Sequence, residues 1–174
     1  VGFNIMDVKF NNINGGSFTV TLKKGSITPL EEKEIKYLIE EEEKLNLFEI
    51  KTYENFKKNI NTNKVNLLKL LNELKSNGNS ISAIGASTKG NVILQFCDIN
   101  TELIDYVGEV NKDKFGCFTP GTKIPIISED ELLEKNPDYL LILTWHFREF
   151  FLNNIKFRNK KLIFPLPILE VIET

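Results

Sequence analysis

Residues 81–94, ISAIGASTKGNVIL, constrain the fold more than any other stretch. A short apolar run reads as a buried strand, a row of small residues as a turn, and the residues after that turn as the start of a helix. A strand entering a helix through Gly85, Ala86, Ser87, Thr88, Lys89 and Gly90 aims several backbone N–H groups at one point. The helix macrodipole places partial positive charge there and Lys89 adds a full one, which outlines an anion site. Phosphates of nucleotides or sugar nucleotides are the anions usually met in such a turn. The spacing is not G-x-x-x-x-G-K-[ST], because Lys89 precedes Gly90 and Asn91 follows it. It is not G-x-G-x-x-G either, since only Gly85 and Gly90 are present. A tight βα turn whose small residues serve only close packing is the competing reading.

From residue 81 onward the pattern alternates strand and helix. Strands are expected at 81–84, 104–107, 139–143, 162–164 and 168–172, and helices from Asn91, around 132–134 and at 147–152. YLLIL at 139–143 is the most apolar run and reads as a central parallel strand. Such alternation predicts an α/β fold, a parallel sheet with helices on both faces. Ahead of it, residues 3–10 and 17–23 read as strands joined by the Asn- and Gly-rich NNINGGS, which suits a hairpin. Thr28 and Pro29 open a helix, with Glu31, Glu32 and Glu34 where its dipole favours acids and Ile35, Leu38 and Ile39 as its apolar stripe. The run 40–43 reads as a solvated face. A longer helix spans 53–74, with Tyr53, Phe56, Ile60, Leu67, Leu71 and Leu74 as its stripe. The polar interval at Asn63-Lys64 and the stop at Ser76-Asn77-Gly78 favour a helix leaning on a sheet over a coiled coil.

Composition excludes several classes of function. The 174 residues suffice for one sizeable core, and 41% hydrophobic with 26% charged residues is a globular balance. A net charge of -2 argues against nucleic acid as a partner. No apolar run approaches the roughly 20 residues of a membrane span, and no secretory signal opens the chain. Cys97 and Cys117 form neither a C-x-x-C pair nor a metal cluster, which suits a reducing, cytoplasmic compartment. The chain begins at Val1 and its only methionine is Met6, as expected of a piece of a longer polypeptide.

In a parallel sheet of this kind the ligand sits beyond the carboxyl ends of the strands. Three loops are expected there: 85–90, 108–122 and 144–146. The second, GEVNKDKFGCFTPGT, is long enough to be functional, and Pro120-Gly121 within it fits a tight turn flanked by Thr119 and Thr122. Lys114 and Lys123 bring it positive charge, and a structural crossover is the alternative. The third loop carries Trp145 and His146, the single histidine. No second histidine, nucleophile elbow or acid–base partner accompanies it, so neither a catalytic residue nor a metal site is assigned.

Taken in order, these loops resemble the C-terminal domain of S-adenosylmethionine-dependent sugar C-methyltransferases. The resemblance rests on Gly85-Ala86 with Lys89-Gly90-Asn91, on Pro120-Gly121-Thr122-Lys123-Ile124-Pro125, and on Asn136-Pro137-Asp138-Tyr139 leading into Leu143-Thr144-Trp145. Gly15-Gly16-Ser17 is similar to the family's passage out of its methyltransferase domain. His146 departs from the pattern, standing where the family commonly has asparagine. The resemblance implies a Rossmann-like domain over 29–174, with 1–28 as a strand pair linking to an upstream methyltransferase domain of the same polypeptide. It implies a keto-sugar nucleotide as substrate, with S-adenosylmethionine bound by the upstream domain and no cofactor in this chain. Gly85, Ala86, Ser87, Lys89, Gly90, Asn91, Pro120, Gly121, Thr122, Trp145 and His146 are the expected substrate contacts. A stand-alone nucleotide- or cofactor-binding module and a structural dimerisation domain are the alternatives. The chain alone is not expected to be catalytically competent.

Overall fold

The computed structural model describes residues 2–26 and 28–174, with the side chains of Pro29, Leu30, Glu31 and Glu34 outside the description. The helix expected to open at Thr28 and Pro29 starts at Pro29, while the placing of the Glu31 and Glu34 side chains lies outside the described residues. The chain divides into two compact units, 1–59 and 60–174.

In the first unit β1 (Phe3–Asn11) pairs antiparallel with β2 (Ser17–Lys24) through a 3-10 turn at Ile13–Gly15. Asn14, Gly15 and Gly16 all take positive φ there, which explains the Asn- and Gly-rich connection. Helix α1 (Pro29–Lys44) packs against β1. Ile35 and Leu38 are half-buried, whereas Ile39 of the expected stripe is exposed. Helix α2 (Ile50–Ser76) starts earlier than expected and runs unbroken through Asn63-Lys64. Tyr53 and Phe56 remain exposed, and Tyr53 donates its hydroxyl to Leu47 O at 2.7 Å.

The second unit is a six-stranded sheet among the described residues. Its strands are β3 (Ile81–Ile84), β4 (Val107–Glu109), β5 (Ile126–Ser128), β6 (Tyr139–Ile142), β7 (Lys161–Phe164) and β8 (Glu170–Glu173), in the order β5-β4-β3-β6-β7-β8. All neighbours are parallel except β8, which returns antiparallel to β7. Helix α3 (Thr88–Cys97) follows β3, α4 (Glu129–Glu134) follows β5 and α5 (Arg148–Asn153) follows β6.

The period-2 geometry of the strands divides their side chains between two apolar clusters. Ile81, Ala83, Leu141 and Ile163 join Leu67, Leu71 and Leu74 of α2 and Leu94 and Cys97 of α3 on one face. Ile84, Leu140, Ile142, Leu162 and Phe164 join Leu132 of α4 and Phe151 of α5 on the other. Strands buried on both faces read as continuous apolar runs, which is why YLLIL marked the centre of the sheet. The expected α/β sheet with helices on both faces is what the chain forms.

Three details differ from the expectation. The strand expected at 104–107 has its regular ladder at Val107–Glu109. Asp105 already runs beside β3, but its carboxylate accepts from Ile81 N–H and from the Lys75 ammonium, and the ladder becomes regular only beyond it. Strand β5 was not anticipated, because it is three residues long and follows Pro125. The last strand is antiparallel and begins at Glu170 instead of Ile168. Helix α2 stops where expected: Gly78 takes φ +81 and Asn79 N–H donates back to Leu74 O at 3.1 Å.

Leu71 is fully buried against the sheet. Leu71→Ala is expected to cost about 2–5 kcal/mol of stability, read from urea unfolding midpoints.

Candidate functional site

Progress outward from β3 runs in opposite directions before and after β6, so the crevice between the carboxyl ends of β3 and β6 is the topological switch point. The backbone approaches very closely there. Gly85 takes φ +93, and a Cβ on it would stand 2.6 Å from Thr144 Cγ2. A Cβ on Gly90 would meet Leu143 Cβ at 2.7 Å. Both glycines are needed for the ends of β3 and β6 and the first turn of α3 to meet.

Ser87 caps α3, its Oγ accepting from Gly90 N–H at 3.0 Å. Its carbonyl accepts from Asn91 N–H at 2.9 Å. The cap thus takes up part of the N–H array that the turn presents.

A cleft of about 530 Å³ opens beside this turn, lined among others by Gly85, Ser87, Glu109, Lys114, Thr144 and Lys156. At its floor the Glu109 carboxylate is 8% exposed. One oxygen accepts from the N–H groups of Val110 and Asn111 at 2.8 and 3.1 Å, and the other from Lys114 Nζ at 3.1 Å. Burial pushes Glu109 up, but the Asn111 N–H, the Lys114 ammonium and the Val110 N–H outweigh it and hold the carboxyl below its usual range. Lys114 Nζ also donates to Ala86 O at 2.9 Å, tying the loop after β4 to the turn after β3. Phe147 and Phe150 also line the cleft and are 51% and 55% exposed. Lys156 lies at the rim and pairs with Glu129 and Asp130 at 3.3 and 2.8 Å. A lining that combines aromatic rings with a few fixed polar groups suits a ligand that has both a ring and polar or charged groups.

Of the expected contact residues, Gly85 and Ser87 line the cleft, and Ala86 is linked to it through its carbonyl. Lys89, Gly90, Asn91, Trp145 and His146 gather at the same strand ends but outside the lining. Lys89 stands near enough to His146 to act on its protonation: burial first, then the Lys89 charge, hold the imidazole below its ordinary value of 6.5. His146 Nδ1 and Asn91 Oδ1 are buried without a hydrogen-bond partner.

Pro120, Gly121 and Thr122 lie elsewhere. They form the tip of an excursion closed on itself, with Thr119 N–H donating to Ile124 O and Ile126 N–H to Cys117 O, both at 2.9 Å. Gly121 takes the φ of +78 expected of it. The buried Thr119 and Thr122 hydroxyls share a 2.7 Å hydrogen bond, and Gln95 of α3 donates to Pro120 O at 2.9 Å.

The sequence reading did not single out Glu109, Glu129, Phe147, Phe150 or Lys156. Glu109 carried a usable signal, an acid ending the strand that follows the glycine turn, which is where dinucleotide folds place a ribose-binding carboxylate. The others come from α4, α5 and the segments flanking α5, and no local pattern relates them. Among the described residues no group of three or more His, Cys, Asp or Glu is placed to hold a metal ion, and no helix is long and apolar enough to cross a membrane.

The chain matches the family model described as the C-methyltransferase C-terminal domain over residues 12–167. Among curated proteins it is similar to the C-methyltransferase NovU of Streptomyces niveus, 25% identical over 174 residues. That match covers 98% of this chain and 41% of the relative, so the chain spans less than half the length of the protein it resembles.

Stability is expected to fall in two stages on acidification. A group with a depressed folded pKa contributes fully above its ordinary value, and the contribution is lost as pH falls through the folded one. For His146 the loss starts below about pH 6.5. Glu109 adds a second stage below about pH 4.5, joined by Asp138, which Ser80 holds low, and by Glu170, which Arg148 holds low. His146→Asn is expected to fold and to abolish the upper stage alone, read from urea midpoints between pH 4 and 8.

Proposed function

Because this chain belongs to the C-methyltransferase C-terminal domain family, we propose that it is the substrate-holding portion of a sugar C-methyltransferase. In this reading residues 29–174 act as a Rossmann-like C-terminal domain, and 1–28 link it to a methyltransferase domain earlier in the same polypeptide. The ligand is a nucleotide-linked keto-sugar held at the crevice between β3 and β6. The observation that carries the reading is that Gly85 and Ser87 of the turn, the Glu109–Lys114 pair and the rings of Phe147 and Phe150 line one cleft at the switch point.

The roles follow from the chemistry of these groups. Backbone N–H groups of the turn and the Lys89 ammonium attract the diphosphate. Lys114 is already shared between Glu109 and Ala86 O, so it holds the crevice in shape. Phe147 and Phe150 offer faces for a ring. Carbon methylation next to a keto group requires a base to remove the adjacent proton, leaving an enolate as the nucleophile. S-adenosylmethionine, bound by the upstream domain, supplies the methyl group. The contribution of this chain is proximity: it fixes the enolate carbon against the methyl donor. Free thiols at Cys97 and Cys117 suit a cytoplasmic enzyme.

Lys89→Ala is expected to weaken nucleotide-sugar binding by the full-length enzyme by about one to two orders of magnitude, with the fold intact. Titrations at two salt concentrations measure it, and the deficit should shrink at the higher salt. Equal affinity in a folded variant would mean that the turn serves packing alone. The 174-residue chain by itself is expected to show no stoichiometric binding of S-adenosylmethionine by calorimetry. Clear binding would overturn the assignment of the cofactor to the upstream domain.

A further inference from the structure

Among the described residues of the first unit none is buried, yet this third of the chain carries more than half of the large exposed apolar side chains. The hairpin concentrates them. Ile5 faces Leu22, Val8 faces Val20 and Phe10 faces Phe18 across the two strands, so all six project from one face. The opposite face carries Asp7 with Thr21, Lys9 with Thr19 and Asn11 with Ser17. Phe3 continues the apolar row and its partner Lys24 ends it, a segregation that belongs to a sheet with one dry and one wet side. Here the dry side is open: Phe10 is 69% and Phe18 66% exposed, their ring centroids 6.5 Å apart. Helix α1 packs against β1 but leaves these rings uncovered. A two-stranded ribbon is marginal in water unless something packs on its apolar face.

The similarity to known proteins points to the group that covers it. The family model of the C-terminal domain starts at residue 12, inside the hairpin turn, so β2 falls within that domain and β1 before it. The relative nevertheless matches 98% of this chain, β1 included, and more than half of its own length lies outside the match. The family model thus begins between the two strands, and in a polypeptide of the relative's length a further domain beside the hairpin would be held at high local concentration. We propose that the face formed by Ile5, Val8, Phe10, Phe18, Val20 and Leu22 is the surface on which the preceding methyltransferase domain of the same polypeptide docks. This rests on the chain being the substrate-holding portion of a larger methyltransferase. It adds that the hairpin is a shared structural element and not a linker: the two domains are coupled through a dry interface.

Hydroxyl-radical footprinting with mass spectrometric readout at Phe10 and Phe18 tests the surface, comparing the full-length enzyme with the 174-residue chain. Labelling of both rings is expected to drop severalfold in the full-length protein, while Ile168, 76% exposed in the second unit, serves as the internal reference. Equal labelling in the two forms overturns the proposal. So does protection that arises in the 174-residue chain on raising its concentration and matches the full-length level, which would assign the face to a second copy. Phe18→Asp in the full-length enzyme is expected to restore labelling at Phe10 and to split one thermal transition into two. Thr19→Asp on the polar face is expected to do neither. If Phe18→Asp does not fold, the wild-type footprint still decides. A full-length enzyme that binds nucleotide sugar but leaves both rings labelled overturns the docking surface alone. One that protects them and binds no nucleotide sugar overturns the substrate reading alone.

Discussion

The close approach of two backbones at the ends of β3 and β6 is the constraint on which the rest of the second unit depends. Gly85 lies within reach of Thr144, and Gly90 touches Leu143, so the first turn of α3 sits directly on the strand beside it. Any side chain at either position would force α3 away from Leu141 and Leu143 and open the cluster that α2 and α3 share. The same contact sets the mouth of the cleft, because Gly85 and Thr144 both line it. Packing and site geometry are thus one requirement, met by two residues without side chains.

Two lysines at the cleft, Lys156 and Lys114, illustrate how burial decides what a charge does. Lys156 with Asp130 sits at a solvated rim, where such a pair contributes a few tenths of a kcal/mol and rearranges readily, although the second partner of Lys156, Glu129, is half-buried. Lys114 with Glu109 joins the ends of two strands, and the carboxylate is nearly enclosed. Removing Lys114 would leave Glu109 with two backbone donors and no cation, a costlier state than breaking a surface pair. Lys114 thereby belongs to the scaffold that joins the loop after β4 to the turn after β3.

How far the sequence could be read depends on the range of each signal. The α/β layout was legible because it depends on local pattern: ISAI and YLLIL are dry on both faces, and the turn between β3 and α3 is spelled in consecutive residues. Leu67, Leu71 and Leu74 were likewise visible as a helical stripe, although Tyr53 and Phe56 in the same stripe stay exposed. Strand β5 was not legible because three residues after a proline carry no periodicity. The cleft was legible only on one side. Its turn is local, but Glu109 meets Phe147, Phe150 and Lys156 only through the folding of two distant stretches of the chain. The long loop after β4 was expected to be functional by its length. Its Pro120–Thr122 tip lies against Gln95 and outside the cleft lining, whereas Lys114 earlier in the same loop reaches the site.

That loop also bears on the thermodynamics of recognition. A long connection at the mouth of a site normally becomes ordered when ligand arrives, and the entropy lost then subtracts from affinity. Here the excursion is clamped beforehand by its own ladder, by the hydroxyl pair of Thr119 and Thr122 and by Gln95. Its disorder is removed during folding. Lys114, which precedes the excursion in the same loop, is thereby held on Glu109 and Ala86 as soon as the chain folds, so the polar side of the cleft is set by folding alone.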